Sequence, residues 1–152
     1  MKKSLSISEW HEFAGEGKAP PMRIKLNGYS MNPIIRGYRD YVTVIPAEKE
    51  SKVGDIVLFC EPNTERYVMH RIWIIEKDRF LTWGDNCSKP DGWISQNDIW
   101  GKVVLIERGK WRIYPDPNRG RRWAFLWHRI GWIYRFNNRI MTGLRHKIRK
   151  HR

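Results

Sequence analysis

A serine, a histidine and two aspartates, spread over three short segments, are the residues of this chain whose types suit covalent catalysis. Ser30 lies in Gly28-Tyr29-Ser30-Met31-Asn32-Pro33, between a flexible glycine and a chain-fixing proline. His70 lies in Tyr67-Val68-Met69-His70-Arg71-Ile72-Trp73-Ile74, and the carboxylates in Gly84-Asp85-Asn86 and Pro90-Asp91-Gly92. A serine hydroxyl is a poor nucleophile until a neighbouring base removes its proton. An imidazole titrates near neutral pH, so it can accept that proton and return it to a leaving amine. A carboxylate then has to hold the imidazole tautomer and stabilise its cation. Each residue also has an ordinary role: a serine beside a glycine, or an aspartate in a turn, commonly satisfies its own backbone. The residues alone leave open whether Asp85 or Asp91 orients His70. The oxyanion of such a reaction needs N–H donors, for which the backbone N–H of Ser30 is the candidate. Gly28 lets a substrate backbone approach closely, as a peptide bound as an added strand requires.

The elements that must position these groups are short. Met22-Arg23-Ile24-Lys25-Leu26 alternates apolar and basic residues, the pattern of a half-buried strand. Strand-like runs follow at 41–45, 55–60, 67–75, 79–83, 102–107 and 110–114, several bounded by Gly, Pro or Asn. Many short strands separated by turns predict a mainly β domain over 22–118 rather than alternating β-α units. Ahead of it, residues 4–14 predict a helix capped by Ser6 or Ser8, with Ile7, Trp10 and Phe13 on one face. A linker ending at Pro20-Pro21 completes an N-terminal segment of residues 1–21.

Charge divides the chain at the other end. Of 29 Lys and Arg, eleven fall in 119–152, which holds no Asp or Glu. The 152-residue chain carries a formal net charge of +13, so residues 1–118 account for only +2. Trp123, Leu126, Trp127, Ile130, Ile133, Tyr134 and Ile140 recur at helical spacing, predicting a basic amphipathic tail. Gly131, Asn137-Asn138 and Gly143 predict breaks in it. Such a tail either packs on the domain or makes a peripheral contact with an anionic membrane, with nucleic acid the weaker expectation. Cys60 and Cys87 form neither a disulfide framework nor a paired zinc-ligand spacing, so free thiols and no metal site are expected. No signal peptide and no apolar run of about 18 residues is visible, so the expected location is cytoplasmic or peripheral at the cytoplasmic membrane face. The sequence leaves the oligomeric state open.

The segments, taken in order, resemble the boxes of the type I signal peptidase family of serine endopeptidases, whose superfamily includes self-cleaving repressors. The nucleophile box is similar to residues 28–33, and the second strand to Gly54-Asp55-Ile56-Val57. The late box is similar to Gly84-Asp85-Asn86 through Asp91, followed by Gly101-Lys102-Val103-Val104. The likeness covers roughly residues 26–107. The bacterial type uses a lysine base; here the corresponding residue is His70, which resembles the archaeal and endoplasmic-reticulum branch with Ser, His and Asp. The resemblance implies a signal-peptidase-like β fold and cleavage of signal or leader peptides after small residues, with no cofactor or metal. It also implies Ser30, His70 and Asp91 as the catalytic set, with Asp85 and Gly28 supporting. The chain departs from the family pattern at Tyr29, at Arg39-Asp40 and at Cys87, which replaces the second asparagine of the late box. Two alternatives stand beside this expectation: a catalytically inactive peptide-binding module, and a regulatory relative whose basic tail contacts nucleic acid.

Overall fold

Short apolar runs of this kind satisfy their backbone groups only by pairing with one another. In the computed structural model, which describes residues 6–15, 19–47, 50–61, 64 and 66–130, eight strands do so in one antiparallel sheet. The strands are β1 (Met22–Lys25), β2 (Tyr41–Pro46), β3 (Ile56–Cys60), β4 (Tyr67–Glu76), β5 (Arg79–Trp83), β6 (Gly92–Ser95), β7 (Ile99–Arg108) and β8 (Trp111–Ile113). Their order is β1-β2-β7-β3-β4-β5-β6, with β8 added to the end of β7. Helix α1 (Ile7–Gly15) precedes the sheet, and a helix over residues 117–130, α2, follows it. The chain is thus mainly β, as its turn-punctuated apolar runs predict.

β3 is the central strand, and its burial explains its composition. Ile56-Val57-Leu58-Phe59 is apolar without alternation because both faces are covered. Ile56 and Leu58 enter one core with Trp10, Met31, Ile35, Val42 and Val44. Val57 and Phe59 enter a second with Ile72, Phe80, Ile94 and Ile99. β4 lies antiparallel to β3 with Val57 opposite His70 and Ile56 opposite Arg71. Successive side chains of a strand point to opposite faces, so His70 and Arg71 leave β4 in opposite directions.

The N-terminal helix is Ile7–Gly15 rather than 4–14, with residues 1–5 outside the described region. Ser6 is its cap: the Glu9 N–H donates to Ser6 Oγ (3.2 Å), and the Ser6 N–H donates to Glu9 Oε2 (2.8 Å). Trp10 is fully buried and donates from Nε1 to the Pro20 carbonyl (2.7 Å). Phe13, expected on the same face, is exposed. Steps of three residues drift around a helix of 3.6 residues per turn, and the second step carries Phe13 off the buried stripe.

β6 is the strand not anticipated in sequence. It is four residues long, begins with glycine and exposes Trp93, so it carries little apolar signal of its own; pairing with β5 creates it. The strand expected at 102–107 begins earlier, at Ile99, and runs to Arg108. α2 is continuous through 117–130; the breaks expected at Gly131, Asn137-Asn138 and Gly143 lie outside the described residues, as do the tail's remaining cations. No helix among the described residues is long and apolar enough to cross a membrane.

Replacing Trp10 with Ala removes the largest fully buried side chain of the first core and is expected to lower stability by about 3–5 kcal/mol. A urea midpoint close to that of the unmodified protein would show that α1 adds nothing to the core.

Candidate active site

The loop between β5 and β6, residues 84–91, gathers the site. β5 delivers it beside β4, since Arg71 pairs with Trp83 and Ile72 with Thr82. The Asp91 N–H donates to the Thr82 carbonyl (2.9 Å), closing the loop on β5. Within that loop the two candidate carboxylates separate. Asp91 Oδ2 lies 2.6 Å from His70 Nδ1. Asp85 instead takes a bidentate bond from Arg71, with Nε to Oδ1 at 2.9 Å and Nη2 to Oδ2 at 2.7 Å. Two adjacent residues of β4, facing opposite ways, therefore hold one aspartate each.

Their surroundings suit different work. Arg71 and Asp85 side chains are each 1 % exposed, and Arg71 Nη1 also donates to the Gly54 carbonyl (2.8 Å). A buried, fully hydrogen-bonded pair is a structural tie, because losing either partner strands the other charge. Asp91 keeps its backbone in solvent while its side chain, 17 % exposed, turns toward His70.

Ser30 reaches the site on the loop between β1 and β2. Gly28 enters that loop at φ +112°, a left-handed conformation that side chains disfavour. Asn86 ties the loop to the 84–91 turn: its N–H donates to the Ser30 carbonyl (2.6 Å) and its Nδ2 to the Tyr29 carbonyl (3.1 Å). The far end of the loop is pinned by Asp40, which is buried. It accepts from the Arg36 N–H (2.9 Å) and from Arg108 Nη2 (2.7 Å), while Arg108 also donates to the Ile34 carbonyl (2.9 Å). Burial alone would raise the Asp40 carboxyl, but Arg108 and the Arg36 N–H outweigh it and hold the pKa below the ordinary value. Asp40 of Arg39-Asp40 thus supplies the carboxylate that anchors this end of the loop.

Ser30, Met31, Ile35, Val68, Met69 and His70 line one cleft of about 260 Å³, with Leu26, Asn27, Gly28 and Tyr67 at its walls. The hydrogen bonds among the described residues include none between Ser30 Oγ and His70; such bonds commonly tighten only when substrate fills the site. Gly84 lies where β4, the 84–91 turn and the Ser30 loop meet. A Cβ there would stand 2.6 Å from Cys87 Sγ, 2.8 Å from His70 Nε2 and 2.9 Å from the Ser30 carbonyl oxygen. Gly84, Asn86 and Arg71 are the site residues to which sequence reasoning gave no part of their own. Cys87, read as a free thiol and as a departure from the late box, is free, and its Sγ lies with His70 Nε2 beside Gly84. Its place in the late box, where an asparagine was expected, was the available signal.

Burial by itself pushes the His70 pKa down. The Asp91 carboxylate, through its hydrogen bond and charge, and the neighbouring Cys87 outweigh that effect and raise it to about 9. Since the folded value exceeds the unfolded 6.5, the His70–Asp91 pair stabilises the fold fully below 6.5 and loses that contribution as pH rises through about 9. At neutral pH the imidazole rests as a cation, so it becomes a proton acceptor only on the alkaline side. Among the described residues, no group of His, Cys, Asp and Glu is placed to hold a metal ion.

Comparison with protein-family models and with curated proteins gives no match for this chain.

The two aspartates are expected to respond differently to substitution. Asp85→Ala should lower stability by roughly 3–5 kcal/mol in denaturant unfolding, because it leaves Arg71 buried and unpaired. Asp91→Asn should leave the fold standing and move the His70 titration, followed by its ring-proton NMR signal, from about 9 to a lower pH. An unmoved His70 titration would remove Asp91 from the site.

Proposed function

We propose that the chain is a serine endopeptidase that cleaves signal or leader peptides from precursor proteins, with Ser30 as nucleophile and His70 as general base. The observation that carries this reading is the His70 Nδ1–Asp91 Oδ2 contact of 2.6 Å on an imidazole that lines the same cleft as Ser30. Asp91 fixes Nδ1 as the protonated nitrogen, which leaves Nε2 to accept the Ser30 proton. Ser30 Oγ attacks the scissile carbonyl carbon, and the carbonyl electron pair moves to oxygen, where the Ser30 N–H helps hold it. The oxyanion collapses, the C–N bond breaks, and Nε2–H protonates the leaving amine. Water, deprotonated by His70, then hydrolyses the acyl-serine and restores Oγ–H.

An extended peptide is the substrate that the cleft accommodates. Residues 67–70 of β4 pair with β3 on one side, while β5 pairing begins only at Arg71. Their other backbone edge faces the cleft, opposite the end of β1 and Gly28, and a substrate strand can add there. A volume of about 260 Å³ walled by Leu26, Ile35, Val68 and Met69 favours small apolar side chains next to the cut.

The reading of an inactive peptide-binding module draws on one observation, the imidazole held as a cation at neutral pH. Activity against a library of leader-like peptides, followed by mass spectrometry, separates the two. Unmodified protein should cleave, with kcat/KM rising with pH toward an apparent pKa of about 9. Ser30→Ala and His70→Ala should each lose at least about 10³-fold of that rate. Equal cleavage by all three proteins would overturn the mechanism; peptide binding without cleavage at any pH would favour the binding module.

A further inference from the structure

α2 is amphipathic in an unusual way, because its apolar residues are divided between two faces and the sheet covers only one. Asp116 caps it: the Arg119 N–H donates to Asp116 Oδ1 (2.8 Å), and the Gly120 N–H to the Asp116 carbonyl (2.8 Å). Gly120 then sits on the Arg71 guanidinium, where a Cβ would stand 2.5 Å from Nη1. One turn on, Ala124 is fully buried, and a further turn on His128 packs against the adjoining rings of Trp73 (5.0 Å) and Trp83 (4.3 Å). Residues 120, 124 and 128 are therefore the docked face, spaced i, i+4, i+8.

The second apolar set follows i, i+3, i+7 on the flank of the first. Trp123, Leu126 and Ile130 are 44 %, 47 % and 51 % exposed, and Phe125 is exposed beyond them. Arg119, Arg121, Arg122 and Arg129 are exposed around this stripe. From residue 117 to the end of the chain there is no Asp or Glu to neutralise them, and seven more Lys and Arg follow Ile130. A helix that served only to cover the sheet would not need exposed Trp, Leu and Ile. A surface built for nucleic-acid phosphate would gain from the arginines but nothing from the aliphatic stripe. Apolar side chains ringed by unopposed cations match the acyl–headgroup boundary of an anionic bilayer, where the stripe enters the acyl region and the arginines meet lipid phosphates.

We infer that α2 is a membrane-docking element that seats the protein on anionic lipid through Trp123, Leu126 and Ile130. The docked face of α2 lies on the Arg71 side of β4, and His70 leaves that strand on the other, so lipid contact and the cleft use different sides of it. The inference is independent of catalysis and holds whether or not Ser30 is a nucleophile.

The test is co-sedimentation of the full chain with vesicles of equimolar phosphatidylglycerol and phosphatidylcholine, and with phosphatidylcholine alone. Binding to the anionic vesicles is expected, at least about tenfold tighter than to the neutral ones and weaker when salt is raised from about 0.1 M to about 0.5 M. The triple variant Trp123→Ser, Leu126→Ser, Ile130→Ser keeps every cation, and its replaced side chains are exposed. It should fold with an unchanged urea midpoint yet bind at least about tenfold more weakly. Arg119→Gln, Arg122→Gln, Arg129→Gln together should cost about a hundredfold. Three outcomes would overturn the inference: no vesicle binding, undiminished binding by the serine variant, or equal binding to both vesicle types. Tight binding to a random-sequence DNA duplex with no vesicle binding would assign the surface to nucleic acid instead.

Discussion

The Arg71–Asp85 ion pair is the constraint on which the rest of the molecule depends. It joins four parts of the chain that are distant in sequence: β4, the turn after β5, the Gly54 turn before β3 and α2. A guanidinium and a carboxylate can leave water together only when their donors and acceptors are met, and here two donors reach Asp85 and a third reaches the Gly54 carbonyl. That requirement fixes where the 84–91 loop starts. The loop's later residues then fall where His70 and the Ser30 loop can use them. Asp40 with Arg108 does the equivalent at the far end of the Ser30 loop, and Lys102 reaches Asp55 at 3.0 Å behind β3. Buried carboxylates, each matched to a cation, thus hold the turns between strands whose own pairing is regular.

Against this background the fourth carboxylate stands out by what it faces. Asp40, Asp55 and Asp85 meet arginine or lysine, whereas Asp91 meets an imidazole, whose charge is lost as pH rises through about 9. Burial and the carboxylate pull the His70 pKa in opposite directions, and the carboxylate wins. Raising the pH through about 9 therefore removes the cation from this contact, and with it the stabilisation that the pair gives the fold.

Much of this was legible in the residues. The strand-like runs at 41–45, 67–75 and 79–83 and the turns between them foretell a mainly β domain; the residues alone pick out Ser30 and His70 as candidates and leave Asp85 and Asp91 open, and only the family resemblance implies Asp91. What the sequence hid was long-range. β6 exists because β5 offers it a partner, and four residues beginning with glycine do not announce a strand. Nothing local to Arg71 points to its partner, which lies fourteen residues away across a turn. The choice between Asp85 and Asp91 could not be made from turn chemistry, which suits both; it followed from which face of β4 each reaches. Phe13 was misplaced because a three-residue repeat resembles a helical stripe for one step and departs from it on the second. The tail's spacing revealed an amphipathic helix, but not that its apolar residues split between a covered face and an open one.

Gly84 carries a consequence for how easily this site could be deformed without any change to the residues that mark it. Three atoms from three segments, the Cys87 sulfur, the His70 Nε2 and the Ser30 carbonyl, crowd the place where a side chain would begin. A single methyl group there would have to displace a thiol, an imidazole and a backbone carbonyl together, disturbing the junction of β4, the 84–91 turn and the Ser30 loop while leaving Ser30, His70 and Asp91 in the sequence. The absence of a side chain at position 84 is as much a condition of the site's shape as the side chains that line it.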